Sequence, residues 1–125
     1  MLSKNQILKA RKAVESLYDG ICLVIEYRKE KNEQTKLMEW QEVTVLEEQP
    51  CRLSFDQNQP VSQSASAAAK DQRIKLFLAP EIKIKPGSKI VVTQNGVIAE
   101  YTYSSVPAVY VTHQEILLEL FEGWA

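Results

Sequence analysis

From residue 21 onward, apolar side chains recur at alternate positions, the period of a half-buried strand. Before that point the period is different. Ile7, Ala10, Val14 and Leu17 recur in steps of three and four, with Lys9, Arg11, Lys12 and Glu15 on the other side. Ser3 and Gln6 have the spacing of a capping box, and Asp19-Gly20 supplies a stop signal. The spacing predicts one amphipathic helix over residues 4–18. Its apolar seam fits a face packed on its own domain, or a partner-binding face in an assembly protein.

The strand signals follow in order. Ile21, Leu23, Ile25 and Tyr27 alternate with Cys22, Val24, Glu26 and Arg28, and Lys29 to Thr35 reads as a polar turn. Residues 36–47 form a second strand region around Trp40, Val43 and Val45, and Pro50 is expected to break it. Cys51, Leu53 and Phe55 alternate next, then Ile74, Leu76 and Leu78. Ile82 and Ile84 precede a Pro86-Gly87 turn. Residues 90–94 and 97–103 flank Asn95-Gly96, a strong hairpin signal because both central residues of a type I′ turn need positive φ. Residues 116–121 are ambiguous alone and read as a strand in this β-rich setting. Short strands with turn signals at this spacing predict a mainly β chain. The expected fold is a small β-barrel with an N-terminal amphipathic helix and one long polar loop, because closure removes exposed edges. The chain length predicts one domain over residues 1–125.

The long loop, residues 57–70, stands out from this pattern. Gln57, Asn58, Gln59, Ser62, Gln63, Ser64 and Ser66 lead to Lys70, with Arg73 just beyond, and large apolar side chains are almost absent. Folding buries little of such a stretch, so its ordering entropy is not offset. Loops longer than about 12–15 residues are usually functional or disordered. The expectation is a mobile arm that acts on something outside the domain.

Charge and chemistry narrow the function further. A net charge of −1 argues against a dedicated nucleic-acid binder. No apolar run reaches the roughly 18 residues of a membrane span. Lys4, Lys9, Arg11 and Lys12 interrupt any signal-peptide core, so the protein is expected to be made in the cytoplasm. Cys22 and Cys51 sit in strand-like segments and fit buried free thiols better than a disulfide or metal site. Pro86-Gly87-Ser88-Lys89 lacks the spacing of a phosphate loop and leads into a strand, which fits a tight turn. His113 with Glu115 is a weak general-base signal beside no nucleophile elbow, and a structural histidine is the default. Scattered glutamates such as Glu39, Glu42 and Glu100 fit solvated outer faces. Trp124 is either folded back on the core or held against a partner. The expectation is no enzyme, no cofactor and no metal.

Three stretches carry a family likeness: Pro50-Cys51-Arg52-Leu53-Ser54 before the polar loop, Ile74-Lys75-Leu76-Phe77-Leu78 after it, and Tyr110-Val111-Thr112-His113-Gln114-Glu115-Ile116 near the end. Over about residues 20–125 the chain resembles the small head–tail connector proteins of long-tailed bacteriophages and prophages of Gram-positive bacteria, also labelled minor capsid or head-closure proteins. The order of elements, the long loop and the length carry the match. The resemblance implies a β-barrel subunit of a ring below the portal, whose long loops project into the channel and retain packaged DNA. It implies portal or adaptor ring and tail proteins as partners, self-association on assembly, transient DNA contact and no membrane. The location implied is the head–tail junction of the virion. The N-terminal helix departs from helix-poor members and leaves stopper, adaptor and tail-side roles open. Lys9, Lys12 and Trp124 are candidate partner contacts; Lys70 and Arg73 at the loop base are placed to touch a DNA backbone. A different class of function, a small β-barrel module binding nucleic acid or peptide, needs an exposed aromatic or basic groove, to which Tyr27, Tyr101 and Tyr103 would contribute.

Overall fold

The computed structural model describes residues 2–57 and 72–124. Ser3 caps helix α1 (Lys4–Glu15) reciprocally with Gln6: the Gln6 N–H donates to Ser3 Oγ at 3.2 Å, and the Ser3 N–H donates to Gln6 Oε1 at 2.8 Å. α1 ends at Glu15, short of the expected Tyr18. Ser16 turns its hydroxyl back to the Ala13 carbonyl at 2.6 Å. Leu17 and Tyr18 then bond three residues back, to Val14 and Glu15, in the tighter pitch common at helix ends.

The strands are β1 (Gly20–Lys31), β2 (Met38–Gln57), β3 (Gln72–Leu78), β4 (Lys89–Gln94), β5 (Val97–Thr102), β6 (Ala108–Val109) and β7 (Gln114–Leu120). All pairings are antiparallel. β1 lies between β2 and β4, β2 pairs onward with β3, and β4 with β5. β7 joins β5 (Tyr101↔Leu120) and also β3 (Ile74↔Leu118), so the sheet closes into a ring. The mainly β expectation is met in this form, with α1 outside the ring.

Alternation explains the core. Cys22 and Val24 from β1, Cys51 and Leu53 from β2, Leu76 and Leu78 from β3 point inward and are buried. Ile90, Val92, Tyr101, Ile116 and Leu118 complete the set from β4, β5 and β7. Each large aliphatic side chain fully removed from water contributes roughly 1.5–3 kcal/mol. Residues 79–88 close one end of the ring. The buried Gln114 amide donates to the Ala79 carbonyl at 2.8 Å and to the Ile82 carbonyl, and the Tyr103 hydroxyl donates to the Ile84 carbonyl.

Two strand limits differ from the periodicity. Lys29–Lys31 continue β1 instead of turning, because they pair with Trp40, Glu39 and Met38 in a ribbon whose faces need no apolar alternation. The turn narrows to residues 32–37, where Asn32 Oδ1 accepts from the Gln34 and Thr35 N–H groups and Lys36 takes a φ of 65°. Pro50 does not break β2. The β1–β2 register shifts between Cys22 and Ile25, Glu48 takes a φ of 50°, and the β2–β3 ladder begins only at Arg52. Pro50 sits beside that bulge, where a strand tolerates a missing donor. The Asn95-Gly96 hairpin is as expected, with φ of 54° and 78°. Pro86-Gly87 forms a turn into β4, with Gly87 at φ 87° and Ser88 Oγ donating to the Lys85 carbonyl at 2.7 Å.

Candidate assembly surfaces

The chain leaves the sheet at Gln57 and re-enters at Gln72, and these two residues are ladder partners. Asp56 pairs with Arg73 on the next rung, and the Arg73 side chain is exposed. Asn58, Gln59, Ser62, Gln63, Ser64, Ser66 and Lys70 lie outside the described residues. The strands that frame them are firmly built. Leu53 carries β2 inward two residues before Phe55, and its N–H donates to Gln94 Oε1 at 2.7 Å while its carbonyl accepts from Gln94 Nε2 at 3.2 Å. A side-chain amide thereby takes the place of a strand where β1 has not yet begun. Gly20, the first residue of β1, makes room for it: a Cβ there would stand 2.9 Å from Gln94 Oε1 and 3.2 Å from the Cys51 carbonyl oxygen. Beside the clamp, Phe55, Val97 and Ala99 line an open cavity of about 170 Å³. The end of the ring that emits the tract is therefore partly open and apolar.

The C-terminal end of α1 and the turn after it lie against the outer faces of β2 and β3. Val14, Leu17 and Tyr18 face Arg52, Ser54, Phe77 and His113 across a groove of about 350 Å³. Arg11 pairs with Glu15 at 3.0 Å and with Glu81, tying the helix to the 79–88 segment. The carboxylates hold the Arg11 guanidinium above its ordinary pKa, Glu81 most strongly. Lys9 and Lys12 are exposed on the side of α1 away from these contacts.

Trp124 packs on its own domain at a third place. Its ring stacks on Tyr27 at 4.9 Å and 7°, and Tyr27 stacks in turn on Trp40 at 5.4 Å. Phe121 meets Trp124 edge-on at 4.9 Å, and Lys89 Nζ lies 5.0 Å from the Phe121 centroid. Glu42 joins the group, accepting from Lys89 Nζ at 2.8 Å and from Trp124 Nε1 at 2.9 Å. Those bonds, Lys89 first, hold the Glu42 carboxyl below its ordinary pKa. The structure thus separates the candidate residues into three groups: Gln57 and Arg73 at the tract's base, Lys9 and Lys12 on α1, and Trp124 in the aromatic stack. Sequence reasoning missed Gln94, Gln114 and the stack; their partners are tens of residues away in the chain, and no local pattern marks such pairs.

The remaining chemistry-bearing residues are engaged with one another. His113 Nε2 lies 2.9 Å from Glu115 Oε2 and Nδ1 lies 3.0 Å from Thr112 Oγ1, with the Tyr110 ring stacked on the imidazole at 4.9 Å. Lys75 Nζ sits 3.7 Å from Glu115. Cys22 and Cys51 are free thiols, both fully buried. Among the described residues, no group of three or more His, Cys, Asp or Glu side chains is placed to hold a metal ion. No described helix is long and apolar enough to cross a membrane.

No protein-family model matches the chain, and no curated protein matches it. Among solved structures, the fold is similar to protein xkdH of the phage-like element PBSX from Bacillus subtilis, at 10% identity and a TM-score of 0.46 over 82% of this chain and 93% of that one. A likeness of that size carries no argument about what this chain does.

Proposed function

We propose that this chain is a structural subunit of a phage head–tail connector, of the head-closure type. It joins a portal or adaptor ring to the tail and helps to retain packaged DNA. One observation carries the reading beyond the sequence resemblance: the polar tract is framed by a paired rung, Gln57↔Gln72, on a closed sheet. A closed ring of strands is a rigid mount, and a tract held at both feet by one ladder is presented without disturbing the core. Such a subunit performs no covalent step. Ring symmetry multiplies a weak lateral contact through avidity. Arg73, exposed at the tract's foot, is placed to meet a phosphate backbone, as a positioning contact without sequence readout.

The test is deletion of Gln59–Ala69. The β2–β3 ladder lies outside the deletion, so the variant is expected to fold with an unchanged β signature, while particles carrying it leak DNA or fail to join tails. Normal infectious particles from a folded deletion variant would overturn the role given to the tract.

A small module that binds nucleic acid or peptide is the second reading. It is favoured by Trp40, 60% exposed and stacked on Tyr27, with Lys29 directly opposite on β1. Measurable affinity for single-stranded DNA at moderate salt, lost in Trp40→Ala, would favour it over the connector.

A further inference from the structure

α1 buries none of its own residues in its chain. Arg11 and the Leu17 carbonyl, which accepts from Arg52 Nη1 at 3.4 Å, hold it against the ring. Its outer side is left open. Lys4, Leu8 and Lys12 stand in one row on successive turns, with Lys9 beside them, and all four are exposed. A helix of 12 residues is about 18 Å long at a rise of ~1.5 Å per residue.

The counterpart surface is the arm of β1 and β2. β4 stops pairing with β1 at Ile25, so the rungs from Glu26↔Val43 to Lys31↔Met38 stand alone as a two-stranded ribbon. At ~3.3 Å per residue this free ribbon is about 20 Å long, the same length as the helix. Residues directly opposite each other on one of its faces are Glu26 and Val43, Arg28 and Gln41, and Glu30 and Glu39. Two carboxylates directly opposite in a ladder destabilise it. Arg28 relieves part of this, 2.8 Å from Glu26 and 3.7 Å from Glu30, and Asn32 Nδ2 donates to Glu39 at 3.1 Å. At the ribbon's tip Leu37 is 64% exposed, and Leu8 on the helix is 57% exposed.

We infer that α1 of one copy docks along the ribbon of a second copy, with Lys9 and Lys12 meeting Glu30 and Glu39 and with Leu8 covering apolar surface between them. The two faces are opposite in charge and matched in length; among the described residues Glu26, Glu30 and Glu39 on this face of the ribbon pair only within the ribbon and its turn, and Lys9 and Lys12 make no ion pair. Helix and ribbon are different surfaces, so the contact is heterologous and leaves a free helix at one end of the pair and a free ribbon at the other. Repetition closes into a ring if the rotation per subunit fits. This deepens the connector reading by naming its lateral contact, and it rests on that reading only for ring closure. The test uses the isolated protein and no DNA, so either idea can fail alone.

Sedimentation of the full chain is followed up to about 1 mM protein, at low and at high salt. Concentration-dependent association that weakens with salt is expected, since the charges are solvent-exposed. Lys9→Glu with Lys12→Glu weakens it about 10-fold or more. Glu30→Gln with Glu39→Gln also weakens it while raising the melting temperature, because the opposed carboxylates are gone; a merely structural role would not move the two readouts in opposite directions. Mixing Lys9→Glu/Lys12→Glu with Glu30→Lys/Glu39→Lys restores opposite charges at both kinds of contact, so the mixture is expected to associate where neither variant does alone. A monomer at every concentration, or association that ignores these substitutions, would overturn the proposal.

Discussion

Gly20 and Gln94 act as one device at the open end of the ring. Gln94 stands in for a strand beside Leu53, and Gly20 leaves the space that the amide occupies. Gly20→Ala pushes a methyl group against Gln94 Oε1 and two backbone carbonyl oxygens, so the clamp must shift. The expected loss is about 1–3 kcal/mol in denaturant unfolding, the cost of leaving a buried donor or acceptor unsatisfied. Gln94→Ala is expected to lose a similar amount, and the double variant less than the sum, because the two residues share one interaction. The cysteines behave differently. The Cys22 thiol beside it, and burial, push the Cys51 thiol up, so its reactive thiolate is not populated near neutral pH. Iodoacetamide is expected to leave Cys51 unmodified in the native protein and to label it on unfolding; rapid native-state labelling would contradict this placement. Glu42 titrates the aromatic stack. Lys89 and then Trp124 depress its pKa below the ordinary 4.5, so its contribution is present above that value and is lost as pH falls through the depressed one. In a Trp40→Phe background, Trp124 emission is expected to shift red on acidification below 4.5, and Glu42→Gln is expected to abolish that transition.

The elements differ in how far local sequence specifies them. α1 buries no residue and is attached through Arg11, Arg52 and a shallow groove, so its removal costs the ring little. Deleting residues 1–15 is expected to leave the β signature by circular dichroism unchanged and to lower the melting temperature by a few degrees, the shift that about 1 kcal/mol makes in a domain of this size. Unfolding of the truncated chain would contradict the peripheral placement. The start of α1 was legible because a capping box is local. Its end was not, because Ser16 ends the helix by bonding back to Ala13, which competes with helix continuation without any glycine or proline signal. Asn95-Gly96 fixed its hairpin for the same local reason that Ser3 and Gln6 fixed the cap. The ribbon at Lys29–Lys31 and the bulge that accommodates Pro50 were misread: strand pairing there is set by the partner strand, not by apolar alternation in the segment itself. β6 is two residues long and pairs only where β5 has left β7's edge, a circumstance with no sequence period at all.

At the scale of the whole molecule, alternation from β1 to β7 made the mainly β class legible, and ring closure follows from β7 pairing with both β3 and β5. The candidate surfaces were only partly legible. The tract's position between two strands was visible from composition, and so were exposed lysines on α1; the division of these residues into three separate places was not, because it depends on which strands become neighbours. The account's central claim is that this closed sheet mounts the tract at the head exit of a phage particle. The most direct measurement adds the purified protein to DNA-filled, tail-less capsids from a phage lacking this subunit and follows retained DNA by nuclease sensitivity. Protection by the full chain, absent with the Gln59–Ala69 deletion, is the predicted result. No protection by protein shown to be folded would contradict the head-closure role.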